Sequence, residues 1–174
     1  MGNAPDLASA LVSTHRPTWA EIDLDALAAN FHVVKAKVGP DVNVMAVVKA
    51  NAYGHGAVEC ARRLEHEGAD WFGVALPEEG IELRKAGIAK PVLCLAGFWG
   101  EQATTCLQHD LVPVVYRLDM IESFDRAARE RNIVADVHVK VDTGMGRLGV
   151  RFHEVSEFVA ALKQFKNIRL DGLL

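Results

Sequence analysis

Cysteine is sparse in this chain. Cys60, Cys94 and Cys106 are odd in number and form no C-x-x-C pair, which argues against a disulfide framework. Cys60 and Cys94 lie among apolar neighbours, so buried, reduced thiols and a cytoplasmic setting are expected. Long apolar runs are also missing: no stretch approaches the ~20 residues that cross a bilayer as a helix, and no membrane partner is expected. Met1 to Arg16 lacks the basic start and compact apolar centre of a secretory leader, and residues 1–17 read as a flexible tail. There is no excess of positive charge, with 19 Lys+Arg against 23 Asp+Glu and a formal net charge of -4. Without a basic field for a phosphodiester backbone, nucleic acid is not an expected partner. The seven histidines supply no H-E-x-x-H, and His55-x-x-x-Glu59 stands alone as an i,i+4 pair, so no metal site is expected. Internal repeats and low-complexity segments are absent.

What the chain has is apolar content, 50% over 174 residues, enough for one domain with a sizeable core. Thr18 to Leu24 alternates polar and apolar residues, the period of a strand with one wet face. Leu24, Leu27, Ala28, Phe31, Val34 and Val38 then follow a helical stripe, with Asp23 or Asp25 able to cap it and Gly39-Pro40 to stop it. Strand-like runs follow at Val42–Val48, Trp71–Leu76, Pro91–Ala96, Leu111–Tyr116, Val134–Val141 and Ile168–Leu174, with Pro113 weakening the centre of the fourth. Between them lie helical patterns from Ala57 to Gly68, Pro77 to Gly87, Glu101 to Gln108, near Asp119 to Arg131, where Asp119 and Glu122 have capping-box spacing, and Val155 to Phe165. Strand–helix units without long linkers predict a parallel α/β architecture. Pattern alone leaves a barrel and an open doubly wound sheet equally available. In either, functional groups gather at the carboxyl ends of strands.

The most informative stretch is Ala46-Val-Val-Lys-Ala-Asn-Ala-Tyr-Gly-His-Gly56. An apolar strand runs into Lys49, then into a small polar turn, Tyr53, two glycines and a helix start. An amine leaving a buried strand is partly desolvated, which disfavours the ammonium form and suits a Schiff-base nucleophile. Glycines before a helix N-terminus let backbone N–H groups approach a phosphate. Amine and phosphate cradle together match the needs of pyridoxal 5'-phosphate (PLP).

A second constellation follows the fifth strand, where Val137, Val139 and Val141 alternate with Asp136, His138, Lys140 and Asp142 before the loop Thr143-Gly-Met-Gly-Arg-Leu-Gly149. Lys140 and Arg147 therefore stand at and just beyond a strand's carboxyl end. His138 is expected to pack on its strand. Gly144, Gly146 and Gly149 also spell the G-x-G-x-x-G of dinucleotide sites, but that fingerprint needs a dry strand before it and a helix opening within it. This strand carries four polar side chains, and the helical pattern resumes only near Glu154.

Together the two strings resemble the PLP-attachment and second signatures of the alanine racemase family, in that order. Trp19-Ala-Glu-Ile-Asp-Leu-Asp25 matches the family's opening strand, so the resemblance covers Pro17 to Leu174. It implies an α/β fold, a parallel (β/α)8 TIM-type barrel of which residues 18–174 supply the part up to the sixth strand. By the same resemblance Lys49 holds PLP and acts as one of two catalytic bases. Tyr53 contacts the cofactor phosphate, Arg147 its phenolic oxygen, and Lys140 matches a lysine that is carbamylated in many members and orients that arginine. The implied reaction is interconversion of L- and D-alanine for peptidoglycan synthesis, by a homodimer whose later barrel strands, β-rich domain and second-base tyrosine are not among these residues. Residues 1–174 alone are therefore expected to be inactive. Alternatives are a racemase for a larger amino acid, a non-catalytic PLP-binding barrel, which would not be expected to carry both strings, and an interaction module.

Overall fold

The computed structural model describes residues 18–174, and the tail assigned to residues 1–17 lies outside them. Helix α1 (Leu24–Val38) begins where the Asp23 carboxylate accepts the amides of Asp25 and Ala26, both at 2.9 Å, and ends at Gly39. The alternating segment before it is no strand: residues 18–23 have no regular structure, and no neighbouring strand among the described residues offers them a ladder. An alternating pattern needs a partner before it becomes a sheet. Ala28 and Phe31 are buried, whereas Val34 and Val38, expected on the same stripe, are exposed because no described element lies over them.

The rest of the chain alternates. It runs through β1 (Met45–Val47), α2 (Ala57–His66), β2 (Trp71–Val74), α3 (Pro77–Lys85), β3 (Val92–Cys94), α4 (Gln102–Gln108), β4 (Leu111–Val115), α5 (Leu118–Glu130) and β5 (Ala135–Val139). A small pair, β6 (Val141–Asp142) and β7 (Val150–Arg151), precedes α6 (Val155–Leu162) and β8 (Ile168–Leu173). Six strands form one all-parallel sheet in the order β1-β2-β3-β4-β5-β8. That order follows the sequence without reversal. It is the winding of a (β/α) barrel, whereas a doubly wound sheet reverses at a switch point.

Alternation along the strands separates two faces. Phe72, Val74, Val92, Cys94, Val115, Val137 and Val139 join the core formed with the helices. Gly73 lies on the other face, where a Cβ would meet Met45 Sδ and Leu95 Cδ1 at 3.2 Å and Val47 Cγ2 at 3.3 Å. Three strands, β1, β3 and β5, are shorter than their apolar runs at both ends, and β2, β4 and β8 only at the carboxyl end, because pairing stops before apolarity does. Pro113 is accommodated within β4: it is paired with Cys94, and the β4–β5 ladder begins one residue later, at Val114. Asp119 does not cap α5, whose N-cap is Arg117. It binds that residue's guanidinium instead, at 2.9 Å from Nε.

Arg84 locks the amino-terminal ends of two strands together. Its guanidinium donates to the carbonyls of His109 (3.1 Å), Ile88 (2.8 Å), Lys90 (2.7 Å) and Asp110 (2.9 Å), which lie just before β3 and β4. All three cysteines are free and buried, as their apolar surroundings suggest for Cys60 and Cys94.

Candidate active site

Lys49 follows directly on the last residues of β1, where the Val48 amide still donates to Gly73 O on β2 at 2.8 Å. Beyond it the chain turns the wrong way. Ala50, Asn51, Ala52 and Tyr53 have φ of 52°, 55°, 51° and 55°, a left-handed turn built without glycine. At roughly 1–2 kcal/mol for each such residue, four cost on the order of 4–8 kcal/mol that surrounding contacts must offset. Those contacts are present: Ala52 N donates to Val48 O at 2.8 Å and Gly54 N to Ala50 O at 3.1 Å. The Asn51 carboxamide oxygen accepts the Ala57 amide at 2.7 Å and so holds the first turn of α2. Strain of this kind, over-determined by its surroundings, is characteristic of functional sites. The turn carries the Tyr53 ring to 6.0 Å from Lys49 Nζ, and leaves Tyr53 61% exposed.

Lys140 occupies the equivalent place on β5. Its amide donates to Val115 O at 3.0 Å, and its carbonyl accepts from Val150 N at 2.8 Å, where β5 gives way to the β6–β7 pair. Burial lowers the Lys140 pKa, and the positive charges of Arg147 and Lys49 lower it further. Both charges acting on it are cationic. The structure thus brings Lys49, Lys140 and Arg147 to one rim of the sheet, with Tyr53 beside Lys49; no contact joins Tyr53 to Arg147.

Arg147 is exposed and reaches the rim through its loop. Asp142 Oδ1 accepts the amides of Gly144 and Gly146, each at 3.0 Å, and those N–H groups, Gly146 first, hold the Asp142 carboxyl below the usual range. Gly149 closes the loop with φ +131°, and a Cβ there would lie 2.6 Å from the Asp142 backbone nitrogen. The G-x-G-x-x-G glycines therefore shape a strand-to-strand loop, and the next α-helix begins only at Val155, which leaves no dinucleotide fingerprint. His138 does more than pack on its strand: its Nε2 lies 3.2 Å from Asp171 Oδ2, and its ring centroid is 5.6 Å from that of Trp71.

Glu79 is a site neighbour that the sequence did not announce. Its carboxylate accepts the amides of Ala50 (2.8 Å), Ala75 (2.6 Å) and Leu76 (3.3 Å). The available signal was its place three residues after Leu76 and two after Pro77, the return half of a capping box. Asn51 and Asp142 carry equally little sequence signal, since each acts through backbone amides. A cavity of about 1050 Å³ lies between residues 98–105 and α5 and is lined by none of Lys49, Tyr53, Lys140 or Arg147.

The family model described as "Alanine racemase, N-terminal domain" matches residues 22–174. The chain belongs to the alanine racemase family. It is 46% identical over 159 residues to the alanine racemase of Halothermothrix orenii, a match spanning 91% of this chain and 42% of that protein. With the alanine racemase of Geobacter sulfurreducens it shares 44% over 159 residues, again 91% and 42% of the two chains. The solved alanine racemase of Clostridium difficile 630 in complex with cycloserine superposes with a TM-score of 0.83 at 38% identity, covering 92% of this chain and 44% of that one. This chain therefore spans less than half the length of the family members it matches, and its sequentially wound sheet corresponds to the barrel part of those enzymes.

Proposed function

We propose that this chain carries the cofactor-binding part of a PLP-dependent alanine racemase, with Lys49 as the cofactor lysine and one catalytic base. The observation that carries the reading is the rim itself: the strand-end amine of Lys49 beside Tyr53, with Lys140 near enough to Lys49 and Arg147 to feel both positive charges. That donor set fits an anionic, aldehyde-bearing group. PLP, when bound, supplies the aldehyde for the lysine amine and an electron sink for the α-carbon of an amino acid.

The chain's own residues do the rest. The left-handed turn holds the Lys49 backbone and leaves Tyr53 exposed, which supports a role for it in binding the cofactor phosphate. Lys49 takes or returns the α-proton on one face of the substrate, and racemisation needs a second group on the opposite face. Arg147 would hold the cofactor by donating to its phenolic oxygen. Lys140 orients Arg147 as a carbamate: its neutral amine adds CO2, forming the N–C bond and releasing one proton. On the product anion the charges of Arg147 and Lys49, which repel the ammonium form of Lys140, would attract, and the guanidinium would gain charge-assisted hydrogen bonds.

Family membership supports the further proposals of alanine as substrate, a homodimer as the working state, a cytoplasmic location and a role in peptidoglycan supply. The test is PLP titration of the protein carrying this chain, followed by an alanine racemisation assay. Visible absorbance and turnover that both disappear in Lys49→Ala are expected; full cofactor absorbance in that variant contradicts the reading.

A further inference from the structure

The structure points to Glu79 as the positioning residue that sets the backbone of Lys49, an inference that rests on Lys49 being the cofactor lysine. In a continuing parallel ladder, the Val48 amide bonded to Gly73 O would be followed by two more rungs, from Ala75 N to Val48 O and from Ala50 N to Ala75 O. Neither forms. Val48 O accepts from Ala52 N at 2.8 Å within the left-handed turn, and Ala75 O accepts from Ala96 N at 3.0 Å on the next strand. The two orphaned amides both donate to Glu79, Ala75 to Oε2 at 2.6 Å and Ala50 to Oε1 at 2.8 Å. A carboxylate on the first turn of α3 thus splices β1 to β2 at the point where the chain leaves the sheet.

The splice acts on Lys49 directly. The amide hydrogen of Ala50 belongs to the same planar peptide as the Lys49 carbonyl, so a bond to it fixes that plane and the ψ angle of Lys49. It also fixes the first residue of the strained turn, Ala50 at φ 52°. The Ala50 and Ala75 amides donate to different oxygens of the one side chain, so both of its oxygens must act as acceptors. Glu79 meets no cationic side chain within salt-bridge distance among the described residues, so its charge is directed at backbone amides alone. Leu76 N, at 3.3 Å, adds the ordinary helix-start contact.

Glu79→Gln is the informative variant. The carboxamide keeps the length of the side chain and one acceptor, and turns an NH2 toward the other amide, donor against donor. Two readouts on the full chain apply. Hydrogen exchange without cofactor should show the Ala50 amide exchanging about 10-fold faster or more in Glu79→Gln, the scale expected for losing a charge-assisted bond, with α5 and β5 amides unchanged. Borohydride fixation with PLP, quantified by peptide mapping, should show occupancy of Lys49 reduced about 5-fold or more at equal PLP, with the melting temperature nearly kept and Glu79→Asp recovering none of the loss, its arm being one methylene short. Wild-type fixation at a lysine other than Lys49 defeats the reading of the site itself. Wild-type fixation at Lys49, with unchanged exchange at Ala50 and unchanged occupancy in Glu79→Gln, overturns the positioning role alone. A general acceleration of exchange across α5 and β5 also overturns it, since that marks a merely structural residue.

Discussion

Substituting Gly149 by alanine tests whether the β6–β7 loop exists to deliver Arg147. The added Cβ would sit 2.6 Å from Asp142 N, 2.8 Å from Val141 C and 3.2 Å from Asp142 Cα. All three are backbone atoms, so no side chain can swing aside. Holding an alanine at φ +131° costs about 1–3 kcal/mol in backbone strain, and forcing the contact costs a further ~1–3 kcal/mol. Against this, β6 and β7 are only two residues long each, a pairing that is marginal by itself. The strain should therefore open this pair and leave the six-stranded sheet intact. Hydrogen exchange over residues 141–151 should accelerate while β1–β5 stay protected. Release of Arg147 should weaken PLP binding about 10-fold, equivalent to about 1.4 kcal/mol. Unchanged exchange in 141–151 together with unchanged PLP affinity would refute the reasoning, and so would cooperative loss of the whole sheet.

Arg84→Ala removes the common donor to four carbonyls and should destabilise by about 3 kcal/mol, lowering the melting temperature by roughly 10 °C; Arg84→Lys should recover little, since one ammonium cannot span the four acceptors. A shift under ~2 °C in thermal melts would contradict the lock assigned to that guanidinium. Glu67 is held at about 2, against its usual 4.5, by the His32 imidazole and then by Arg63. A depressed carboxyl contributes stability above its unfolded value and loses it as pH falls through the folded one, so denaturation midpoints should decline between pH 4.5 and about 2. The decline should be shallower in Glu67→Gln, and parallel slopes would show the network to be inert. Lys140→Ala should weaken cofactor binding and turnover in the protein carrying this chain, with partial recovery on adding small carboxylates; recovery by chloride but not by acetate would contradict the carbamate.

Much of the fold was readable because the cues were local. Apolar runs gave the strands, Pro77 and Gly87 bracketed α3, and the Val-Val-Lys-Ala-Asn-Ala-Tyr string put Lys49 at a strand end. What escaped the sequence depends on partners distant in the chain. The alternation of residues 18–24 reads as a strand only until the lack of a neighbour is seen. Asp119 has the spacing of a cap, but Arg117, two residues before it, takes the carboxylate. The sequential strand order, which separates barrel winding from a doubly wound sheet, is a property of crossovers and leaves no local trace. The left-handed turn at Ala50–Tyr53 contains no glycine, so propensity argues against it; it exists because Glu79, Asn51 and Val48 hold it. The same tertiary bonds locate the Lys49 backbone, and for this reason the sequence could name the lysine without showing what positions it.

The central claim is that Lys49 is the residue to which PLP attaches. It is tested most directly by reducing the PLP-loaded protein with borohydride, digesting it and mapping the pyridoxyl mass by tandem mass spectrometry. The account predicts the modification on Lys49, in the peptide containing Ala46 to Gly56, with Lys140 unmodified by pyridoxyl. Pyridoxyl found chiefly on Lys140 or any other lysine, or scattered among surface lysines at the level given by a Lys49→Ala control, would contradict it.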